Sequence, residues 1–456
     1  MIARALSVAP LLAGCTVWNA TDACDVAPQE SRVNLFADRL EFPSSNRAAA
    51  EISSGRIVVV YTAAEMDGLD VTAAEVRFAM IDPRDGTRST LCTGFEEEIV
   101  VSDLERLASG ASVVAVDWPE GEGRDAVALL GWSETTKDGE SRARVLPIDA
   151  SGCPVPLASE PFAPVYEDRT GAVEGLSLVW SDTRRAVFAV FHDAERRVRG
   201  AWIDSVGSAV DASTLGTEAR ILGQVASAVD DEGRVALAWR YWDDRMIVND
   251  EQGIRALLLD AEGLPRPGAL AGGAAPFRVN EAGDYYVYGS NSPFGVSVAT
   301  EGTRIAFAWE GGDDPKLLLR ARIREIDAAD GVPLAIAGAS DGGPAYADPQ
   351  DGATTASASL AYLPDGSLLA LWESDARSGT VGRLFGPDGD RRFSGVGCDE
   401  RPFAVGVRAD DFPGTSAPLL VGDRLWVFHA AAPTDDPVPS GVMGWRVALA
   451  DLWPGE

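Results

Sequence analysis

The chain has 456 residues, 46% of them hydrophobic and 24% charged, and a formal net charge of −31. That balance belongs to a folded globular protein and excludes bulk disorder. The acidic excess argues against nucleic acid as a partner and leaves cations or basic partners open, although an acidic surface also serves solubility alone.

The first element is "MIARALSVAPLLAGC", with a positive charge at Arg4, an apolar run from Ala5 to Leu12, and "LAGC" at 12–15. It is too short for a permanent transmembrane helix and has the layout of an export signal. Leu12-Ala13-Gly14-Cys15 resembles the bacterial lipobox, which implies cleavage before Cys15 and lipid attachment there. An ordinary secretory signal containing a cysteine, or a different start codon, are the alternatives. On the first reading residues 1–14 are a lipoprotein signal peptide, 15–30 a tether and 31–456 the folded part. The protein is then expected in the bacterial cell envelope, outside the cytoplasmic membrane, held by its N-terminal lipid at the outer membrane or cell surface.

From residue 76 onward one pattern recurs: "VRFAMIDPRDG" (76–86), "ARVLPIDASG" (143–152), "VRGAWIDSVG" (198–207), "IRALLLDAEG" (254–263), "ARIREIDAADG" (321–331), a looser "VGRLFGPDG" (381–389) and "WRVALADLWPG" (445–455). Arg77, Arg144, Arg199, Arg255, Arg322, Arg383 and Arg446 each stand five residues before an aspartate. An alternating strand closed by D-x-x-G has a mechanism, because Asp caps the turn through its side chain and Gly supplies a positive φ. These aspartates are therefore turn residues, and no metal is expected at them.

Upstream of each such strand lies another carrying a large aromatic: Tyr61, Trp132, Trp239, Trp309 and Trp372, with Phe191 and His429 near the matching places. Before those come strands of small and β-branched residues, as in "SVVAVDW" (112–118), "QVASAVD" (224–230), "GVSVAT" (295–300) and "SASLAYL" (357–363). Small residues suit a strand crowded near an axis; wide aromatics suit the gap between splayed sheets. The expected fold is all-β, a seven-bladed β-propeller, with six or eight blades left open by the irregular first and last units. The last unit lacks a fourth strand, and "SRVNLF" (31–36), which matches "FRVNEA" (277–282), is expected to supply it and close the ring.

Apart from Cys15 there are four cysteines, Cys24, Cys92, Cys153 and Cys398, with no C-x-x-C spacing. In an exported protein this predicts disulfides. The topology prefers Cys24–Cys398 and Cys92–Cys153. The run "FRVNEAGDYYVYGSNSPFGVSVATEGTRIAFAWEG" resembles a bacterial β-propeller repeat of large surface and secreted proteins. The resemblance implies architecture and an extracytoplasmic setting, and brings no catalytic residues with it.

Catalytic motifs are missing. His192 and His429 are the only histidines, no G-x-S-x-G, P-loop or H-E-x-x-H occurs, and no cofactor is expected. The loops between second and third strands are acidic, and that of the fourth unit holds Tyr241, Trp242, Asp243 and Asp244. A neighbouring inter-blade connection, "EAGDYYVYGSNSP" (281–293), holds Tyr285, Tyr286 and Tyr288. Together they form a candidate rim suited to sugar faces or a cationic peptide segment; packing and turn capping are the competing roles. The expected function is a monomeric binding or scaffolding module for an envelope protein or glycan. The alternatives are a propeller glycosidase or lyase using rim carboxylates, and a purely structural envelope component.

Overall fold

The computed structural model describes residues 24–25, 31–34, 42–67, 70–88, 99–100, 107–118, 125–136, 138–155, 164–168, 173–205, 213–217, 221–242, 252–267, 274–280, 296–312, 319–336, 345–346, 355–374, 379–387, 391–392, 403–404, 417–431 and 441–449. Two short strands come first, β1 (Cys24–Asp25) and β2 (Ser31–Asn34). Antiparallel meanders follow: β3 (Phe42–Glu51), β4 (Ile57–Asp67), β5 (Asp70–Ile81) and β6 (Ile99–Val100); then β7 (Leu107–Ala115), β8 (Ala126–Thr135), β9 (Ser141–Asp149) and β10 (Pro164–Asp168). A single parallel pair, Ala74 with Leu107, joins these two into one sheet. The next is β11 (Glu174–Ser181), β12 (Ala186–His192), β13 (Arg197–Ile203) and β14 (Ser213–Thr217), followed by β15 (Ile221–Val229), β16 (Val235–Trp242), β17 (Gln252–Leu259) and β18 (Phe277–Arg278). Next come β19 (Ser297–Glu301), β20 (Arg304–Gly312), β21 (Leu319–Asp327) and β22 (Ala345–Tyr346). The chain ends with β23 (Thr355–Tyr362), β24 (Leu368–Ser374), β25 (Gly379–Phe385), β26 (Arg391–Arg392) and β27 (Phe403–Ala404), then β28 (Ala417–Val421), β29 (Arg424–Ala431) and β30 (Gly441–Ala448).

The expected strand exchange is present. β2 pairs antiparallel with β30 and completes the last meander. β1, within the segment expected as a tether, adds in parallel to β27 on the preceding sheet.

The apolar cores lie between consecutive sheets, so each second strand is covered on both faces. That explains why these strands read as continuous apolar runs, such as the fully buried "AVFAVFH" of β12, rather than as alternating ones. Trp309 of β20 packs among Ala236, Ile254, Phe277 and Val279 of the preceding sheet. Leu369 and Leu371 meet Leu425 and Val427. Ile57, Val59 and Tyr61 of the first meander meet Trp426 and Phe428 of the last, which closes the ring.

Hydroxyls on the inner strands link neighbouring sheets. Ser112 Oγ accepts from Leu178 N at 3.1 Å, Ser177 and Ser227 hydroxyls lie 2.7 Å apart, and Ser297 Oγ accepts from Leu360 N at 3.1 Å. A second set of links uses the D-x-x-G turns. Asp260 caps its turn by accepting from Glu262 N and Leu264 N, and Gly263 takes φ 87° beneath Trp202, where a Cβ would lie 2.7 Å from Nε1. At four of these turns, after Asp82, Asp149, Asp260 and Asp327, the next carbonyl accepts from an arginine of the sheet before it. Arg56 Nη1 donates to Ala150 O at 3.4 Å, Arg184 Nη1 to Ala261 O at 3.4 Å, and Arg266 to Ala328 O and Ala329 O at 3.2 and 3.1 Å. Arg446 reaches from the last meander to Pro83 O at 3.0 Å and to Arg84 O in the first.

The ladder register corrects two members of the repeat. In most meanders the aromatic stands directly opposite the repeat arginine, as in Tyr61–Arg77, Trp132–Arg144, Phe191–Arg199, Trp239–Arg255 and Trp309–Arg322. Trp372 faces Val381 instead, with Arg383 two residues further along opposite Ala370. His429, in the tryptophan position, faces Met443, while Arg446 lies nearer the turn opposite Trp426. The Arg-to-Asp spacing in these two units is therefore not the structural repeat; strand position counted from the hairpin is.

Candidate functional site

One face of the ring carries the first hairpins and D-x-x-G turns. The opposite face carries the second-to-third-strand connections and the links between sheets. Arg77, Arg144, Arg199, Arg255 and Arg322, opposite the aromatics, end near this second face, whereas Arg446 reaches the turn face. Arg77 Nη2 lies 2.9 Å from Glu75, Arg144 Nε donates to buried Glu134, and Arg199 Nε lies 2.8 Å from Asp193. Glu134 also accepts from Trp132 Nε1 at 3.3 Å. The guanidinium of Arg255 stands 4.5 Å from the centroid of the Tyr241 ring.

Asp193 is the hub of a tight hairpin. Its Oδ1 accepts from Glu195 N and Arg197 N, and its Oδ2 from Arg197 Nε and Arg199 Nε at 2.8 Å each. Burial alone would raise its pKa, but the hydrogen bonds from Arg199 and Arg197 outweigh that and hold it below the ordinary 3.8. Next to it His192 is buried, with Nε2 3.2 Å from Gly223 O, and burial lowers its pKa. This histidine is a packed side chain tying β12 to β15.

A second buried network spans β21 and β23 near the turn face. Tyr362 Oη donates to Glu325 Oε1 at 2.6 Å, and Arg304 lies 3.3 Å from the same oxygen and 4.9 Å from the Tyr362 ring centroid. Burial raises the pKa of both Glu325 and Tyr362. Arg304 also donates to Pro387 O and Gly366 O of the next sheet, so this cluster is an inter-sheet joint.

At the candidate rim, Tyr241 is 6% exposed and its ring is used in packing against Arg255. Trp242 closes β16 opposite Gln252, and the connection 243–251 leaves from that pair. Asp243, Asp244, Tyr285, Tyr286 and Tyr288 lie outside the described residues. Their point of departure does not. Asn280 is buried; its Oδ1 accepts from Ile254 N at 2.8 Å and Arg278 Nε at 3.2 Å. It sits so close to Gly253 that a Cβ there would lie 2.5 Å from Oδ1 and 3.1 Å from Tyr241 Cε1. The R-V-N motif is thus an end-cap of β17. It was visible in the sequence as a repeated word, but its partner, Gly253, was not.

Of the cysteines, Cys153 is disulfide-bonded. It follows Gly152 just as the exposed Leu264 follows Gly263 and Val332 follows Gly331, and in all three a proline comes next and bridges back to the third strand. Cys15, Cys92 and Cys398 lie outside the described residues; Cys24 stands in β1 opposite Phe403.

No protein-family model and no curated protein matches the chain. Solved structures do. The GH93 α-L-arabinofuranosidase of Fusarium graminearum, in complex with arabinobiose, is 12% identical, with 92% of this chain and 98% of that chain covered at a TM-score of 0.50. The polysaccharide lyase Uly1 is 9% identical, over 92% and 93% of the two chains, at 0.51. A polysaccharide lyase described as PL25 ulvanlyase is 10% identical, over 92% and 96%, at 0.51. At such identities the likeness speaks for fold alone. Together with the ring of antiparallel sheets it makes this chain an all-β protein of the β-propeller fold.

Proposed function

We propose that the protein is a lipid-anchored, extracytoplasmic β-propeller of seven blades whose rim at Tyr241, Trp242, Asp243, Asp244, Tyr285, Tyr286 and Tyr288 binds a glycan or an envelope protein. Seven is supported by counting each meander as a blade, with β3–β6 and β7–β10, fused by one parallel pair, taken as two and the six-stranded sheet of β1 and β23–β27 as one. The observation that carries the site is the contact of Asn280 with Gly253. It makes the acidic aromatic connection and the tyrosine-rich one leave from a single corner, where rings can stack and carboxylates can accept sugar hydroxyls. The turn face is occupied by caps and arginine links, which favours the opposite face for a ligand. Cys15 carries the lipid, and Cys92–Cys153 and Cys24–Cys398 are the disulfides.

The test is a glycan and peptidoglycan-fragment screen on the soluble chain from Thr16, beside a Trp242→Ala/Tyr285→Ala/Tyr286→Ala variant. Binding lost in the variant supports the rim; binding kept by it moves the site elsewhere. Binding by neither protein retires the glycan and leaves the protein partner. The second reading, a glycosidase or lyase, is favoured by one observation: the three neighbours above are named as an α-L-arabinofuranosidase and two polysaccharide lyases. Turnover of a polysaccharide, abolished by single rim Asp→Asn changes, would establish it over binding alone.

A further inference from the structure

We infer that the β1–β27 edge is the membrane-facing side of the propeller and that the Tyr241–Trp242 corner lies on the far side of the ring. The inference rests on the reading that Cys15 is acylated, and adds to it an orientation. Cys24 and Asp25 pair with Phe403 and Ala404 on the outer edge of the β23–β27 sheet. Ser31–Asn34 then pair with β30 of the adjoining sheet before the chain turns inward to β3. The N-terminal segment is therefore fastened at one corner of the outer rim, between the last two meanders, and not at the axis or on a face.

Between Cys15 and Cys24 the chain advances nine residues. Fully extended these reach about 30 Å, and as a flexible coil about 17 Å. A compact chain of this length is roughly 60 Å across. The leash is thus shorter than the body it holds, so the fastened edge stays near the bilayer and the opposite edge cannot reach it without turning the ring over. From the β23–β27 sheet the ring order runs back through β19–β22 to β15–β18, and from the last meander forward through β3–β6 and β7–β10 to β11–β14. β11–β14 is therefore the sheet opposite the fastened corner, and β15–β18 lies beside it in the far half of the ring. A ligand at the Tyr241–Trp242 corner would then be met away from the lipid surface. The acidic net charge works in the same direction, since an anionic leaflet repels the rest of the ring.

The experiment uses the acylated full chain in phosphatidylethanolamine–phosphatidylglycerol vesicles containing acceptor-labelled lipid. A donor dye is attached through Arg391→p-azidophenylalanine, beside the fastened edge, or through Thr214→p-azidophenylalanine, at an exposed position of β14. Energy transfer to the membrane should be several-fold greater from position 391. A long Gly/Ser insertion between Cys15 and Cys24 should lower it. Equal transfer from the two positions, or more from 214, overturns the orientation. Intact mass and vesicle flotation separate the two levels: without acyl mass on Cys15 the underlying reading fails, whereas an acylated, floating protein with equal transfer refutes the orientation alone.

Discussion

Replacing the inter-sheet tryptophans tests the account of how this ring is held. Trp309 is completely buried among Ala236, Ile254, Phe277 and Val279, and its indole N–H has no hydrogen-bond partner among the described residues. Trp309→Ala removes the whole ring and should cost about 3–5 kcal/mol. Trp309→Phe keeps most of the packing. The smaller ring leaves a cavity worth about 1–2 kcal/mol, while removal of a buried, unsatisfied donor returns about 1 kcal/mol or more. The net change should fall within about 1 kcal/mol. Trp132 is the control, equally buried but donating to Glu134, which is itself 2% exposed. Trp132→Phe leaves that carboxylate short of a donor and should cost about 1–2 kcal/mol more than Trp309→Phe. Guanidinium unfolding followed by circular dichroism, with all variants under one set of conditions, measures these differences. If the two Phe variants behave alike, or Trp309→Phe is as damaging as Trp309→Ala, hydrogen bonding is not what distinguishes the two sites and the reasoning fails.

Two buried acids should respond to pH with opposite signs. Asp193 has a folded pKa below its ordinary 3.8, so its stabilisation is present above that value and is lost as pH falls through the lower folded one. Asp193→Asn should therefore destabilise by about 3 kcal/mol at neutral pH, with the gap closing in acid, as read from paired melts. Glu325 has a folded pKa above 4.5, so its favourable contribution exists below 4.5 and is lost as pH rises through the folded value. Glu325→Gln should gain on the wild type from acid to neutral pH in the same melts. Arg446→Met removes the donor to Pro83 and Arg84 carbonyls and should speed amide exchange in β29 and β30 more than in β12 and β16; uniform exchange would show that the ring does not open at this joint. Gly253→Ala forces Asn280 away and should weaken any rim ligand as much as Trp242→Ala does, although it touches neither loop; titration of the two variants decides. Non-reducing peptide mapping should give Cys92 linked to Cys153 and Cys24 to Cys398, and any other pairing removes the topological argument for them.

Composition, the alternation of strands and the D-x-x-G turns are local properties, because each depends on residues within a few positions of one another. Strand locations, the meander repeat, turn capping by Asp260 or Asp327 and the pairing of residues 31–34 with the last meander were accordingly legible in the order of amino acids. What needed three dimensions were relations between sheets. Arg383 and Arg446 keep the same spacing to an aspartate as their counterparts, yet hairpin length, invisible to that spacing, shifts them along the ladder. The use of Arg266 and Arg446 to hold carbonyls of the next turn depends on how two separately specified sheets face each other. So does the candidate site. Its aromatic and acidic residues could be picked out by type, but burial of Tyr241 beneath Arg255 and the seating of Asn280 on Gly253 arise only when distant strands are packed together. A side chain's surroundings, unlike its secondary structure, are set by segments tens of residues away, and these no local pattern encodes.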